Sequence, residues 1–339
     1  LEFLYMMEIQ RNRLSLIGCG AVAEQFHIPA LKKLGVIPNV FVDPNIERAS
    51  VFAKKYKGYA VSNYSEVIEK FDKAIISVPH FLHKSIGVDL LEKGKHVFIE
   101  KPLANTVEEC DAIIQSVNNS VLSVGLFRRF LNGTKWLKGL IESGDLGDIE
   151  EFHVREGGPY TWPVKTDSFW KKEKSGGGVL IDTGAHTLDQ LCWWLDEMDV
   201  VSYSDNAYGG VESDCIISLK TKSGGEGTVE LSRTRNIGCY AIFKGSKGSI
   251  KIGLLNNSIA ADTPSLQNTM YNGIDLKTCK PQPYVELFQL QLKAWLNAIN
   301  KESGDIVSGL SAKKSVELIE QCYLNRTQWN LPWVTKAKR

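Results

Sequence analysis

The chain has 339 residues, more than a single hydrophobic core usually organises, so two domains are expected. It is 43% hydrophobic and 23% charged with no biased tract, and its net charge of +1 offers no basic field for nucleic acid or an anionic membrane. Seven cysteines without a C-x-x-C pair suit free thiols in a reducing compartment.

The first third alternates strand-like and helix-like segments. RLSLIG (13–18) is a short apolar run that ends in glycine, and from Ala21 to Leu34 apolar residues recur at helical spacing. NVFVD (39–43) predicts the next strand and IERASVFAKKY the next helix. The series continues with a strand at 73–78, a helix at 83–94, a strand at 96–100, a helix near 106–117 and a strand at 121–125. Strands and helices that alternate across short loops predict a doubly wound parallel sheet, a Rossmann domain over about 7–127. From 128 to 339 the rhythm changes. A helix at 132–143 and a strand at 149–156 precede a Gly/Pro/Trp-rich loop, and a long helix then runs through LDQLCWWL. CIISLKT, GTVELSR, CYAIFKG and GSIKIG follow as strands without intervening helices, so this second α/β domain is predicted to carry a mostly antiparallel sheet. Two closing helices, YVELFQLQLKAWLNAI and KKSVELIEQCYLNR, are free to fold back on the first domain. No run of about eighteen apolar residues could span a bilayer. The opening LEFLYMM is too short for a signal peptide, so a cytoplasmic protein is expected.

GCGAVA places Gly18, Gly20 and Ala23 directly after a predicted strand and at the opening of a helix. The first glycine permits a tight turn, and the second lets the backbone of Gly18, Gly20, Ala21 and Val22 approach a pyrophosphate. The small third residue allows helix and strand to pack closely. The second strand ends in Asp43, where a carboxylate accepts from the ribose hydroxyls and repels a 2′-phosphate. NAD is therefore expected over NADP, although Arg48 nearby pulls the other way. Glu100-Lys101-Pro102 ends another strand at the same carboxyl edge of the sheet, where Lys101 would face the nicotinamide half of the cofactor.

Here the chain resembles the glucose–fructose oxidoreductase/inositol dehydrogenase (Gfo/Idh/MocA) family. The likeness lies in IGCGAVAE, VPHFLH, LLEKGKHVFIEKPLA, GLFRRF, LIESGDLGDI, SGGGVLIDTGAHTLD and IVSGLSAKKSVELIEQCY, which cover nearly the whole chain in order. The resemblance implies a catalytic group made of the lysine of E-K-P and the aspartate and histidine of G-G-x-x-x-D-x-x-x-H, here Lys101, Asp182 and His186. It also implies a cis Lys101–Pro102 peptide, and cofactor contacts from Pro79, His80, His83, Glu100 and Lys101. His80 stands where relatives often have asparagine, and His83 suits a structural helix-capping role equally well. Independently of the family, Asp182 and His186 are four residues apart, so on a helix they share a face, and a carboxylate beside an imidazole orients it and raises its basicity.

The loop 156–172 offers Tyr160, Trp162, Lys165 and Trp170, whose aromatic faces and polar edges suit a sugar ring. The two tryptophans equally suit packing at a domain interface. Arg128 and Arg129 suit either an anionic group of substrate or cofactor or an interdomain ion pair. His27, His96 and His153 read as structural, and no metal-ligand spacing occurs.

These readings predict an NAD-linked oxidoreductase for a secondary alcohol or ketone of a sugar, cyclitol or nucleotide sugar. The resemblance adds a homodimer or homotetramer formed through the open sheet face. Three rivals share the motifs: a nucleotide-sugar keto-reductase, an NAD-assisted glycosidase and a non-enzymatic sugar sensor. The sensor is disfavoured because Lys101, Asp182 and His186 occur together.

Overall fold

The computed structural model describes residues 13–161, 167–256, 259–262, 270–275 and 280–330. The chain divides into two compact units. The first takes Leu1–Phe130, Pro163–Ser168 and Gln282–Val316, and the second Leu131–Trp162, Phe169–Pro281 and Glu317–Arg339.

In the first unit six strands form one sheet: β1 (Leu14–Ile17), β2 (Val40–Val42), β3 (Tyr59–Val61), β4 (Lys73–Ile76), β5 (His96–Glu100) and β6 (Leu122–Gly125), in the order β3-β2-β1-β4-β5-β6. Every pairing is parallel. β1 and β2 are buried along their whole length, as expected for strands covered on both faces. The covering helices are α1 (21–33), α2 (Ile46–Tyr56), α3 (His83–Glu92) and α4 (Val107–Gln115). Local chemistry sets their ends. The Asn45 side chain accepts from the amides of Glu47 and Arg48 to open α2, which stops at Lys57 in the left-handed region (φ 57°). Within α1, Ala23–His27 is wound as a π-helical turn, closed by the Ile28 amide on the Ala23 carbonyl.

In the second unit α5 (Asn132–Glu142) leads to β7 (Ile149–Gly157), and α6 (179–195) precedes the run of strands. α6 also opens with a π-helical turn, Leu180–Gly184. The strands are β8 (Met198–Asp205), β9 (Asp214–Thr221), β10 (Glu226–Ser232), β11 (Gly238–Gly245), β12 (Gly248–Gly253), β13 (Ile259–Asp262) and, after a separate hairpin of β14 (Met270–Tyr271) with β15 (Ile274–Asp275), β16 (Arg326–Gln328). Their sheet has the order β13-β12-β11-β7-β10-β9-β8-β16. Most pairs are antiparallel, while β10 runs parallel to β7 and β16 parallel to β8. One face carries the core, with Phe152, Val154, Ile217, Leu219, Val229, Leu231 and Phe243 packed against Leu188, Leu191 and Trp194 of α6. On the other face β9 and β10 turn alternate residues outward.

The closing helices are α7 (Tyr284–Ile299) and α8 (Gly309–Leu324). α7 belongs to the first unit, where Phe288, Leu292 and Trp295 join the core of Leu14, Leu16, Ile75 and Phe98. Among the described residues no helix is long and apolar enough to cross a membrane.

Candidate active site

The end of β1 shows why its turn carries glycine. Gly18 has φ +97°, and a Cβ there would run into the carbonyl of Ser77 beyond β4. A Cβ at Gly20 would meet nothing within 4 Å, so the backbone at the start of α1 borders open space. The first helical amides have no intrahelical acceptor, and they suit a phosphate in that space. Asp43, buried at the end of β2, is fixed by two backbone amides: Oδ2 accepts from Cys19 (3.0 Å) and Oδ1 from Asn45 (2.9 Å). Each carboxylate oxygen keeps a further lone pair for a ribose hydroxyl. The cradle and the acid together fit the pyrophosphate and adenosine ribose of NAD. Burial and the Asp43 charge push the neighbouring Cys19 thiol up to about 12, opposed by Arg48.

Lys101 leaves the carboxyl end of β5, two places along the sheet from β1, and the Lys101–Pro102 peptide is cis. Its support is polar and buried. Glu100 turns back beneath it, with Oε2 accepting from the Lys101 amide (3.2 Å) and Oε1 2.9 Å from Nε2 of His27. Gly125 at the end of β6 makes room, since a Cβ there would lie 2.9–3.0 Å from the Glu100 carboxylate. His83 closes the other side, its ring fully buried with Nδ1 2.9 Å from the Pro102 carbonyl and Nε2 3.0 Å from that of Val78. Burial pushes its pKa down against the two carbonyls, which favour the protonated ring. His83 thus ties the loop after β4 to the loop after β5. Pro79 precedes a short 3-10 turn, His80–Leu82, and the His80 ring stands edge-on to His83 at 5.7 Å. Arg129, also in the first unit, is buried and donates to the Ser311 hydroxyl (2.8 Å).

Asp182 and His186 belong to the second unit, Asp182 in the π turn of α6 and His186 one residue into its α-helical part. Glu212 holds the start of that helix: Oε1 accepts from the amides of Gly178 (2.8 Å) and Leu180 (3.0 Å) and from the Tyr323 hydroxyl (2.9 Å). Gly177 and Gly178 allow this approach, because a Cβ on either would collide with the Tyr323 hydroxyl or the Glu212 backbone. Asp182 accepts from Nη2 of Arg233 (2.9 Å), which also donates to the Gly178 carbonyl (3.1 Å). The Arg233 guanidinium lies over two aromatic rings, 5.0 Å from the centroid of Tyr160 and 4.5 Å from that of Phe169. Tyr160 stacks on Phe169 at 5.2 Å, and half-exposed Trp170 meets both edge-on. Burial and the Asp182 charge push the Tyr160 hydroxyl's pKa up, opposed by Arg233. His186 itself is buried, one residue before Thr187, whose hydroxyl donates to Glu156 (2.7 Å).

Of the residues expected for substrate, Tyr160 and Trp170 come together and Tyr160 lies near Asp182, while Trp162 and Lys165 lie outside the described residues. Sequence reading missed Arg233, Glu212 and Phe169, and it took His27 for packing alone. Nothing near Arg233 or Glu212 in the chain marks them, for each acts on a loop tens of residues away. Among the described residues no group of three or more His, Cys, Asp or Glu side chains could hold a metal ion.

Several known proteins resemble this chain. Glucose-6-phosphate 3-dehydrogenase of Bacillus subtilis is 30% identical over 206 residues, 58% of this chain and 57% of that protein. The scyllo-inositol 2-dehydrogenase (NAD(+)) of the same organism is 26% identical over 75% of each chain. The chain thus spans little more than half the length of the first of these relatives. Among solved structures, levoglucosan dehydrogenase in complex with NADH and levoglucosan shares the fold with a TM-score of 0.80 at 21% identity, covering 93% of this chain and 96% of that one. Residues 13–126 match the oxidoreductase family's NAD-binding Rossmann fold and residues 138–334 its C-terminal alpha/beta domain, so the chain belongs to the Gfo/Idh/MocA oxidoreductase family.

Proposed function

We propose that the protein is an NAD-linked dehydrogenase acting on a secondary alcohol of a sugar or cyclitol. The observation that carries this reading is the position of Lys101 at the carboxyl edge of an NAD-binding sheet, the edge at which such sheets take their ligands and where the nicotinamide half of the cofactor would lie. The amides of Gly18, Gly20, Ala21 and Val22 would hold the pyrophosphate and Asp43 the ribose. NAD+ held there would supply the hydride acceptor, so that alcohol and NAD+ would give ketone, NADH and a proton. His186 takes the hydroxyl proton. Lys101 donates a hydrogen bond to the reacting oxygen and stabilises the negative charge that develops there. Asp182, kept as an acceptor by Arg233, orients the base. Tyr160 and Trp170 offer an apolar face to the C–H side of the ring.

Relatives named for 3-dehydrogenation of glucose 6-phosphate and of D-glucosides, and for oxidation of scyllo-inositol, support this substrate class. A second reading, NAD-assisted cleavage of a glycosidic or anhydro bond without net oxidation, is supported by the Escherichia coli relative named 2,7-anhydro-N-acetylneuraminate hydratase, 29% identical over 195 residues, since hydration is not an oxidation. The six described cysteines are free thiols, in keeping with a reducing compartment that we take to be the cytoplasm. We assign the open face of the eight-stranded sheet to contact between copies, as a dimer or tetramer.

The test is NADH formation with D-glucose 6-phosphate, methyl glucosides, scyllo-inositol and levoglucosan, with UDP-linked sugars alongside. Turnover by the free sugars, lost by about a hundredfold to ten-thousandfold in His186→Ala with NADH binding retained, supports the proposal. Consumption of an anhydro-sugar without net NADH supports the second reading. Binding without any turnover defeats both.

A further inference from the structure

We propose that His27 and Glu100 are positioning residues for Lys101, a buried polar strut that fixes where the lysine backbone leaves the sheet. The inference rests on the reading of Lys101 as catalytic. His27 is fully buried on α1, the helix opened by the glycine turn, and its ring is wedged edge-to-face against Phe98 (5.8 Å) and Phe288 (5.1 Å). The polar group set against it is the Glu100 carboxylate, 2.9 Å away at an angle off the straight hydrogen-bond line. The second oxygen of that carboxylate accepts from the Lys101 amide, and the missing side chain of Gly125 leaves the space it occupies. The chain of contacts therefore runs from the turn that cradles the cofactor, through His27 and Glu100, to the backbone of Lys101.

Stability does not account for this pair. Burying two polar groups costs desolvation, and replacing both partners with apolar residues of similar shape is often neutral or stabilising. The two polar groups are kept among buried apolar residues such as Phe98 and Phe288, where one of them, Glu100, accepts from the Lys101 amide. The winding of α1 points the same way, because the π turn ends on His27 and such turns recur at functional sites. A misplacement of about 1 Å at a reacting group costs about a hundredfold in rate, so a strut that removes that freedom has a catalytic value out of proportion to its binding energy.

The experiment compares stability, cofactor binding, local order and turnover in the double variant His27→Leu/Glu100→Leu. Its melting temperature should stay within a few degrees of the unmodified protein, and its NADH dissociation constant, read by fluorescence, within about threefold. Amide hydrogen exchange across 100–104 should accelerate at least tenfold in the protein without substrate. Turnover of whichever sugar in the panel is oxidised should fall about tenfold to a hundredfold in kcat with KM little changed. In a Lys101→Ala background the same pair of changes should cost less than twofold more, since the strut acts only through that residue. The conservative Glu100→Gln should recover most of the turnover lost in Glu100→Ala. Unchanged exchange at 100–104, or losses that simply add to those of Lys101→Ala, overturn the inference. Near-normal turnover in Lys101→Ala itself defeats the catalytic reading of that residue and the inference with it.

Discussion

Replacing Glu212 with alanine should be among the most damaging single changes outside the reacting groups. Its Oε1 accepts from two amides at the start of α6 and from the Tyr323 hydroxyl, and the side chain is buried. Alanine leaves all three donors without their acceptor and removes a negative charge from the helix N-terminus. Hydrogen bonds to a charged group contribute about 1.5–3 kcal/mol each, and the dipole interaction about 0.3–2 kcal/mol. The three bonds share one acceptor atom and are not additive, so a loss of about 3–5 kcal/mol is expected. For a unit of this size that corresponds to a fall in melting temperature of about 6–20 °C, measured by calorimetry. Glu212→Gln keeps an acceptor oxygen in place and gives up the charge, so it should lose less than half as much. Tyr323→Phe removes one donor and relieves a hydroxyl whose pKa burial and Glu212 push well above the usual range. If Glu212→Ala melts within 2 °C of the unmodified protein, or if Glu212→Gln is as damaging as alanine, the clamp is not what holds the helix.

Gly178→Ala should fail more completely than Glu212→Gln, because its Cβ would meet the Glu212 backbone, which cannot swing aside; soluble expression near the normal level would contradict this. Asp43→Ser should narrow the preference for NAD(H) over NADP(H) in fluorescence titrations. It should also weaken NAD(H) by about tenfold, some 1.4 kcal/mol, since the Cys19 amide loses its acceptor; tighter NADP(H) binding by the unmodified protein would refute the assignment. His83 has a folded-state pKa pushed below the ordinary histidine value of about 6.5, so the unfolded chain binds its proton first. Stability from this residue is therefore intact above about pH 6.5 and is lost as pH falls below it, and His83→Gln should flatten the dependence of melting temperature on pH between about 6.5 and 5. An unchanged slope would show that the ring does not titrate in that window.

The legible parts of the fold were those written locally. Leu14–Ile17 and Val40–Val42 are apolar at every position because both faces of their sheet are covered, and the glycine turn and Asp43 stand at fixed offsets from those strands. β3 was not legible: it has three residues, Tyr59–Val61, at the sheet edge, and Tyr59 is exposed. β8 was missed for a similar reason, since its outward residues Asp199, Val201 and Ser202 break the alternation, with a register shift between Val200 and Ser202. The π turns are invisible in the chain, because widening one helical turn leaves the apolar pattern nearly unchanged. Lys101, Asp182 and His186 could be named from motifs, whereas the groups that hold them could not. His27 is 73 residues from Glu100 and Arg233 is 51 from Asp182, distances over which no spacing rule operates.

Arg233 shows how much those unseen partners carry. Its guanidinium bridges Asp182 and the Gly178 carbonyl through one nitrogen while its face covers Tyr160 and Phe169, so one side chain supplies a charge, two hydrogen bonds and a stacking surface. Lysine could supply the charge but not the planar face that covers Tyr160 and Phe169, so Arg233→Lys is not a conservative change here. Arg233→Met keeps an apolar side chain over the two rings and removes the Arg233 cation from Asp182, a largely buried carboxylate, and losing one partner of a buried pair typically costs about 3–5 kcal/mol. Asp182 would then either take up a proton or turn away from its present position, and both remove the acceptor that orients His186 in the proposed reaction. Turnover should accordingly fall at least tenfold in Arg233→Lys and further in Arg233→Met, with NADH affinity unchanged because the residues proposed to hold the cofactor belong to the other unit. The double change Arg233→Met/Asp182→Asn should regain stability, since both charges of the pair are then gone, but it should regain no activity. Restored turnover in that double variant would mean that Asp182 serves only to neutralise Arg233, and the orienting role assigned to it would have to be given up.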